Sequence, residues 1–169
     1  MPEHLPDVID PVAFADKRRH LVGRLALGDL DRIASMVQNP EAYAQLDLQF
    51  GKKGRKPFIE GRVSAQLILE CQCCLGPLQW DVESEVKLAV VESVDTALLL
   101  PDDTEALIVE PDMEIVLSDI VQDELLLAIP TIPQHSDCLM PGATRASPEP
   151  KKNPFAALAD LKIKPTSEE

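Results

Sequence analysis

The amino-acid sequence predicts an α+β domain in which an antiparallel sheet, either a meander or a partly closed barrel, carries two or three packed helices. Two observations support this fold class. Three long stretches of alternating apolar and polar residues follow one another with short turns between them, a pattern typical of antiparallel strands. A strongly apolar helical segment comes later, and 45% of the 169 residues are hydrophobic, which is enough to bury a core.

The composition also predicts how the chain is divided. We expect one α+β domain over 1–140. The stretch 141–152 is rich in proline and polar residues and therefore predicts a flexible linker. Residues 153–169 are predicted to form a short docking helix and a polar tail.

The first forty residues predict short elements. Asp10 followed by Pro11 is a typical helix start, because Asp caps free amide groups and Pro suits the first helical position. Asp29 offers the same capping chemistry to a later helix. The predicted elements are a loosely held tail over 1–9, a helix over 12–18, a strand over 20–27 and a second helix over 30–37.

The remaining elements follow from periodicity and breakers. The core helix is apolar on nearly all sides, so we expect it to lie on the sheet; Ser118 and Asp119 suit its start, and prolines follow its end. Residues 97–100 fit either a loop or a short helix. The predicted strands are 43–50, 58–70, 78–91 and an edge strand over 105–110, with turns over 51–57 and 71–77 and the core helix over 118–129.

The charge and the ends of the chain limit the function. A net charge of −13 repels nucleic-acid phosphate and anionic membranes, so contact with RNA requires a local basic patch or a protein partner. The first residues lack the features of a signal peptide, and no apolar run is long enough to span a membrane. We therefore expect a cytoplasmic protein with reduced cysteines, no membrane partner and no small-molecule substrate.

Four residues form a candidate metal site. Cys71 and Cys74 are spaced as C-x-x-C in a turn, and His135 and Cys138 are spaced as H-x-x-C after the core helix. A Cys₃His set is a known combination for structural zinc. Cys73 is the spare cysteine, either as a small core residue or in place of Cys71. Two alternatives to zinc remain open. Cys71, Cys73 and Cys74 can be reduced structural thiols at a strand end, or they can form a redox site, which lacks the expected helix at the first cysteine.

Basic residues concentrate at one predicted turn. Five of the sixteen basic residues of the chain lie within eleven positions, opposed only by Glu60. A basic hairpin tip can contact RNA phosphate, and a solvated charged tip is the alternative. The five candidate contact residues are Lys52, Lys53, Arg55, Lys56 and Arg62.

Acidic residues dominate the following region. From Asp81 to Glu124 there are fourteen acidic residues and one basic residue, Lys87. They match no catalytic or calcium-loop pattern, so a surface for a basic protein partner and simple solubility are the two interpretations. Since the chain also lacks a nucleophile elbow, a P-loop and a dinucleotide fingerprint, we expect that it is not an enzyme.

The C-terminal segment contains a candidate docking motif, formed by Asn153, Pro154, Phe155 and Leu158. A short anchored helix beyond a proline-rich linker is one way in which peptide motifs occupy a groove on a partner. Docking onto its own domain is the alternative.

Three segments carry a resemblance to a known family. They read LECQCC at 69–74, DELLLAIP at 123–130 and KKNPFAALADLK at 151–162. Together they resemble the YceD family of large ribosomal RNA subunit accumulation proteins, and Asp10, Pro11 and residues 31–33 are also similar. Many relatives carry further cysteine pairs after the core helix, whereas this sequence has only His135 and Cys138 there.

The resemblance implies a function in ribosome biogenesis. It points to a bacterial cytoplasmic factor, without a known catalytic centre, that acts in the synthesis, processing or stability of large-subunit (23S) ribosomal RNA. Its partner would be ribosomal RNA or a large-subunit ribosomal or assembly protein. The alternative function is a zinc-binding or redox-sensing regulator that uses the turn of Cys71 and Cys74.

Overall fold

The computed structural model describes residues 5–110 and 113–138, all within one compact unit that ends at Cys138. The predicted linker, docking helix and tail over 141–169 lie outside the described residues. The strands are β1 Val8–Ile9, β2 His20–Ala26, β3 Tyr43–Lys53, β4 Lys56–Glu70, β5 Pro77–Val91, β6 Glu105–Ile108 and β7 Ile115–Val116. The helices are α1 Pro11–Asp16, α2 Asp31–Ala34, α3 Val94–Ala97 and α4 Leu117–Ala128, with a 3-10 turn at Leu27–Asp29.

Five strands form one open sheet in the order β2-β3-β4-β5-β6. The first four are antiparallel neighbours, and β6 runs parallel to β5. The sheet is therefore an open meander with a parallel edge strand, and the predicted α+β class is confirmed. A barrel does not form, because β2 and β6 remain at opposite ends of the sheet.

The core lies between one face of the sheet and the helices. Alternate residues of the long strands point to this face, including Leu48, Val63 and Val86, each at most 1% exposed. Helix α4 packs on β4 and β5, and the indole N–H of Trp80 donates to the carbonyl of Ala128 at 3.1 Å. The aliphatic core and the core helix are as the composition and periodicity predict.

The central hairpin is tighter than predicted. Strands β3 and β4 pair from Ala44 with Ala65 up to Lys53 with Lys56. Only Gly54 and Arg55 form the turn, and Gly54 has a φ of 66°, which glycine adopts without steric cost. The predicted turn over 51–57 is therefore wrong in length, since most of those residues continue the ladder.

The N-terminal segment is better ordered than predicted over its described part. Val8 and Ile9 pair with Val116 and Ile115, and Ile9 is 1% exposed. The expectation of a loosely held tail is wrong for these residues. Burial of Ile9 and backbone pairing with β7, a strand over 100 positions away, fix the segment to the domain.

The helix ends differ from the predictions at several points. Asp10 caps α1 as expected, accepting from the amides of Val12 and Ala13 at 2.9 Å. Asp29 makes no cap, because it lies in the 3-10 turn and α2 spans only four residues. Helix α4 likewise begins at Leu117 without a side-chain cap. Within residues 5–110 and 113–138, no helix has the length and apolarity needed to cross a membrane.

Candidate metal centre and charged surfaces

The turn between β4 and β5 presents two of the candidate ligands. The amide of Cys71 donates to the carbonyl of Gly76 at 2.9 Å, and the amide of Leu75 donates to the carbonyl of Cys71 at 2.8 Å. Leu75 adopts a left-handed φ of 59°, which reverses the chain after Cys74. The turn therefore points the Cys71 and Cys74 side chains to the same side.

The loop after α4 brings the other two candidates to this turn. The amide of Gln72 donates to the carbonyl of Pro133 at 2.8 Å, which joins the loop to the cysteine turn. The amide of Cys138 donates to the carbonyl of His135 at 3.2 Å, so the H-x-x-C segment forms a turn of its own. The two pairs are far apart in sequence. The chain between them includes β5 and α4, and the bond from Gln72 to Pro133 then joins the loop to the cysteine turn.

The four candidate ligand atoms form one cluster. The donor atoms of Cys71, Cys74, His135 and Cys138 all lie within 4.8 Å of one another. The Sγ atoms of Cys71 and Cys138 are 3.7 Å apart, and Sγ of Cys74 lies 3.6 Å from Nδ1 of His135. Cys71 is buried and the other three are half-buried.

A hydrogen bond orients the histidine for metal binding. Its Nε2 lies 3.2 Å from the carbonyl oxygen of Pro77. Since a carbonyl only accepts, Nε2 carries the proton and the lone pair of Nδ1 faces Cys74. Metal-bound histidines are commonly fixed in this way, with the second ring nitrogen donating to a backbone carbonyl.

The thiols of the cluster differ in acidity. Burial raises the pKa of the Cys71 thiol, but backbone hydrogen bonds from Cys74, His135 and Cys73 outweigh it and lower this pKa to about 6. The pKa of Cys138 is raised above its usual range by a hydrogen bond with the Cys73 side chain, by burial and by Cys74 and Cys71. The cluster thus favours the thiolate form of Cys71, and a bound cation would also favour the thiolate forms of the other cysteines.

The donor set fits zinc. Three thiolates and one imidazole are the ligands of known structural zinc sites. Four protein ligands would close the coordination shell of a bound zinc ion, which is the arrangement of a structural site rather than of a catalytic one. The Cys73 side chain contacts Cys138 but is not one of the four clustered residues.

The basic residues do not form one continuous patch. Lys52 is paired with Asp16, and Lys53 with Glu60. Arg55 and Lys56 have no carboxylate partner within residues 5–110 and 113–138.

Arg62 lies away from the hairpin tip. It is in the middle of β4, opposite Asp47 and Glu85, and forms an ion pair with Glu83 at 2.7 Å. The free positive charge of the predicted basic surface is therefore limited to Arg55 and Lys56.

A buried carboxylate was missed by the sequence interpretation. Glu124 belongs to the acidic region from Asp81 to Glu124, but it is 6% exposed and accepts a hydrogen bond from the Ser84 hydroxyl at 2.5 Å. Burial raises its pKa, the Ser84 bond lowers it, and the charges of Glu105 and Asp123 raise it further. Its position among the apolar residues of the core helix is the feature of the sequence that could have indicated its burial.

The predicted docking motif of Asn153, Pro154, Phe155 and Leu158 lies outside the described residues.

Comparison with known proteins agrees with the resemblance seen in the sequence. A family model described as "Large ribosomal RNA subunit accumulation protein YceD" matches residues 59–162. The large ribosomal RNA subunit accumulation protein YceD of Haemophilus influenzae is 36% identical over an alignment of 169 positions, which covers 95% of this chain and 97% of that protein. No solved structure matches the chain. The chain therefore belongs to the YceD family, which is named for accumulation of the large ribosomal RNA subunit.

Proposed function

We propose that this protein promotes accumulation of large-subunit (23S) ribosomal RNA in the cytoplasm, as a binding factor rather than as an enzyme. The observation that carries the proposal is the 36% identity, over nearly the whole of both chains, to a protein named for this role. At that coverage the shared fold and surfaces are expected to extend through the whole domain. The partner class is ribosomal RNA or a ribosomal or assembly protein.

Two surfaces of opposite charge support a binding mechanism. The hairpin tip offers the unpaired cations of Arg55 and Lys56, which suit a phosphate backbone. The region from Asp81 to Glu124 offers a strong excess of carboxylates, which suits the basic proteins that accompany ribosomal RNA.

The proposal is tested by gene deletion and complementation in the native host. Deletion should lower the ratio of 23S to 16S ribosomal RNA, and the intact gene should restore it. An unchanged ratio would contradict the role. Incubation of the purified protein with precursor 23S RNA should leave RNA length and nucleoside mass unchanged, whereas cleavage or modification would show that the protein is an enzyme.

We also propose that Cys71, Cys74, His135 and Cys138 bind zinc as a structural centre. The specific support is the clustering of four ligand atoms, together with the bond that orients His135. Protein purified without chelator should contain one zinc per chain. Cys71→Ser and Cys138→Ser should lose it, whereas the matched control Cys73→Ser should retain it. Metal-free wild-type protein would exclude the site.

A redox-sensing regulator is the alternative use of the same cluster. The contact between Cys71 and Cys138 would allow peroxide to oxidise the two thiols to a disulfide with loss of zinc and reduction of peroxide to water. Zinc release by peroxide, reversed by a thiol reductant, would favour this alternative. Retention of zinc under peroxide would favour a purely structural centre.

A further inference from the structure

A groove lies between the edge strand β6 and helix α4. Its volume is about 330 Å³, close to the lower limit of ordinary ligand pockets, so it has room for one or two large side chains rather than for a cofactor. The apolar residues that line it are Leu88, Ala106, Leu107, Ile120, Leu126 and Leu127.

One apolar side chain of this groove is strongly exposed. Leu127 is 72% exposed although it lies in the last turn of the core helix. A single exposed leucine is ordinary. This one belongs to an apolar groove that also contains carboxylates, and an apolar surface rimmed by polar residues is typical of a site that binds another protein.

The groove also contains carboxylates, and not all of them are paired with a cation in the described part of the chain. Its remaining lining residues are Glu105, Asp123 and Glu124. Asp123 is neutralised by Arg32 at 2.6 Å. Glu105 and Glu124 have no cationic partner among the residues that the structure describes. A buried carboxylate without a cation is unfavourable, so a ligand that supplies one gains affinity there.

We propose that this groove binds a lysine- or arginine-rich segment of a protein partner that carries a large apolar anchor. The anchor packs against Leu107 and Leu127, and basic side chains reach Glu105 and Glu124. RNA does not fit, because its phosphates would be repelled by the same carboxylates. The inference rests on the proposed binding function and names the class of partner for one surface.

A defined peptide tests the proposal on the full-length protein. The probe carries lysines and arginines on one helical face and two leucines on the other, and its control replaces both leucines with alanine. Amide shifts in NMR spectra should map the leucine peptide to β6 and α4. It should bind about tenfold tighter than the alanine peptide, as expected when a buried anchor contributes about 1.4 kcal/mol.

Two substitutions in the groove and one outside it complete the test. Leu127→Lys and Glu105→Lys alter exposed side chains, so both variants should fold, and each should weaken peptide binding about tenfold. Glu41→Lys makes the same charge change as Glu105→Lys, at an exposed position outside the groove, and should change binding less than twofold. Equal effects at positions 41 and 105 would reduce the interaction to general electrostatics and overturn the proposal.

Other occupants of the groove give other results. Amide shifts at β6 and α4 on addition of an RNA oligonucleotide would assign the groove to RNA. The same shifts on dilution of the protein would assign it to a second copy of the chain. Shifts caused by Phe155→Ala without peptide would assign it to this chain's own C-terminal segment. Each result would overturn the proposal. Since peptide binding is measured on purified protein and the function by the ratio of ribosomal RNAs, failure of one is distinguishable from failure of the other.

Discussion

The Sγ atoms of Cys71 and Cys138 lie 3.7 Å apart, although 67 positions separate the two residues. Cys71 follows β4, and Cys138 is in the loop after α4. A contact between two thiols is a weak hydrogen bond. The loop is otherwise held to the cysteine turn by hydrogen bonds from Gln72 to Pro133 and from His135 to Pro77, and by the contact of His135 with Cys74. A shared zinc ion would hold this loop far more strongly, so the order of the loop should depend on metal.

Removal of zinc should therefore release the loop after α4. Treatment with a chelator should increase hydrogen exchange at the amides of Gln72 and Cys138 by about tenfold or more, which corresponds to about 1.4 kcal/mol of opening free energy. The amide of Leu48, in the centre of the sheet, is the internal control and should change little. If the protection of each of these three amides is the same with and without chelator, metal does not hold the loop.

Charge reversal at the hairpin tip should weaken binding to RNA. Arg55→Glu combined with Lys56→Glu removes the two cations of this hairpin tip that have no carboxylate partner in the described part of the chain. Affinity for a 23S ribosomal RNA fragment should fall, and the slope of log affinity against log salt should decrease by about 1.5 in magnitude. Filter binding over a series of salt concentrations measures both quantities.

The paired lysines of the same hairpin provide the control for this prediction. Lys52→Glu combined with Lys53→Glu makes the same change in charge, but these ammonium groups already face Asp16 and Glu60. We expect a smaller loss of affinity. An equal loss would mean that the ion pairs open on binding, and no loss with either pair would exclude the tip as an RNA contact.

The long strands and the two pairs of candidate ligands could be predicted because their signals are local. Strict alternation through Leu46, Leu48 and Phe50 reflects one buried face of a strand, and any sheet that covers that face satisfies it. The C-x-x-C and H-x-x-C spacings likewise indicate which side chains share a turn. The approach of the two turns could not be predicted, because it depends on the contact of Gln72 with Pro133 across the fold.

The incorrect predictions come from contacts between distant segments. Asp29 is the predicted cap of α2, but the amide of Arg32 donates instead to Oε1 of Gln122 at 2.8 Å. Gln122 lies in a helix 90 positions away. Strands β1 and β7 have two residues each, too few to show any periodicity. In both cases the tertiary partner supplies what the local sequence does not.

Gly61 should be among the least replaceable residues of the sheet. A Cβ at this position would lie 2.0 Å from the backbone oxygen of Asp47 and 2.9 Å from Cα of Leu48. Since backbone atoms of a central strand cannot move without breaking the ladder, Gly61→Ala should cost about 3 kcal/mol or more in the free energy of unfolding. Urea denaturation of the purified variant measures this cost.

Gly54 provides a matched comparison for Gly61. It is in the hairpin turn, where an added Cβ meets nothing within 4 Å. Its φ of 66° is the only obstacle, so Gly54→Ala should cost about 1 kcal/mol. Similar costs for the two variants would show that strands β3 and β4 separate more easily at Gly61 than the structure indicates.

Glu124 should make the stability of the protein depend on pH. Its folded pKa is raised above the ordinary value of 4.5, by burial first and by the charges of Glu105 and Asp123. Between the unfolded and folded pKa values the folded state binds more protons, so stability falls as the pH rises through this window. The cost is absent below the unfolded pKa and fully present above the folded one.

Glu124→Gln should remove this cost while it keeps an oxygen for the Ser84 hydroxyl. The variant should be more stable than the wild type at pH 7, and the difference should shrink as the pH falls towards 4.5. Glu41→Gln, which replaces an exposed carboxylate, is the control for the substitution itself. Urea denaturation at several pH values measures the effect, and parallel curves for wild type and Glu124→Gln would contradict it. If the same variant also binds the basic peptide more weakly, the buried charge is retained for recognition at the expense of stability.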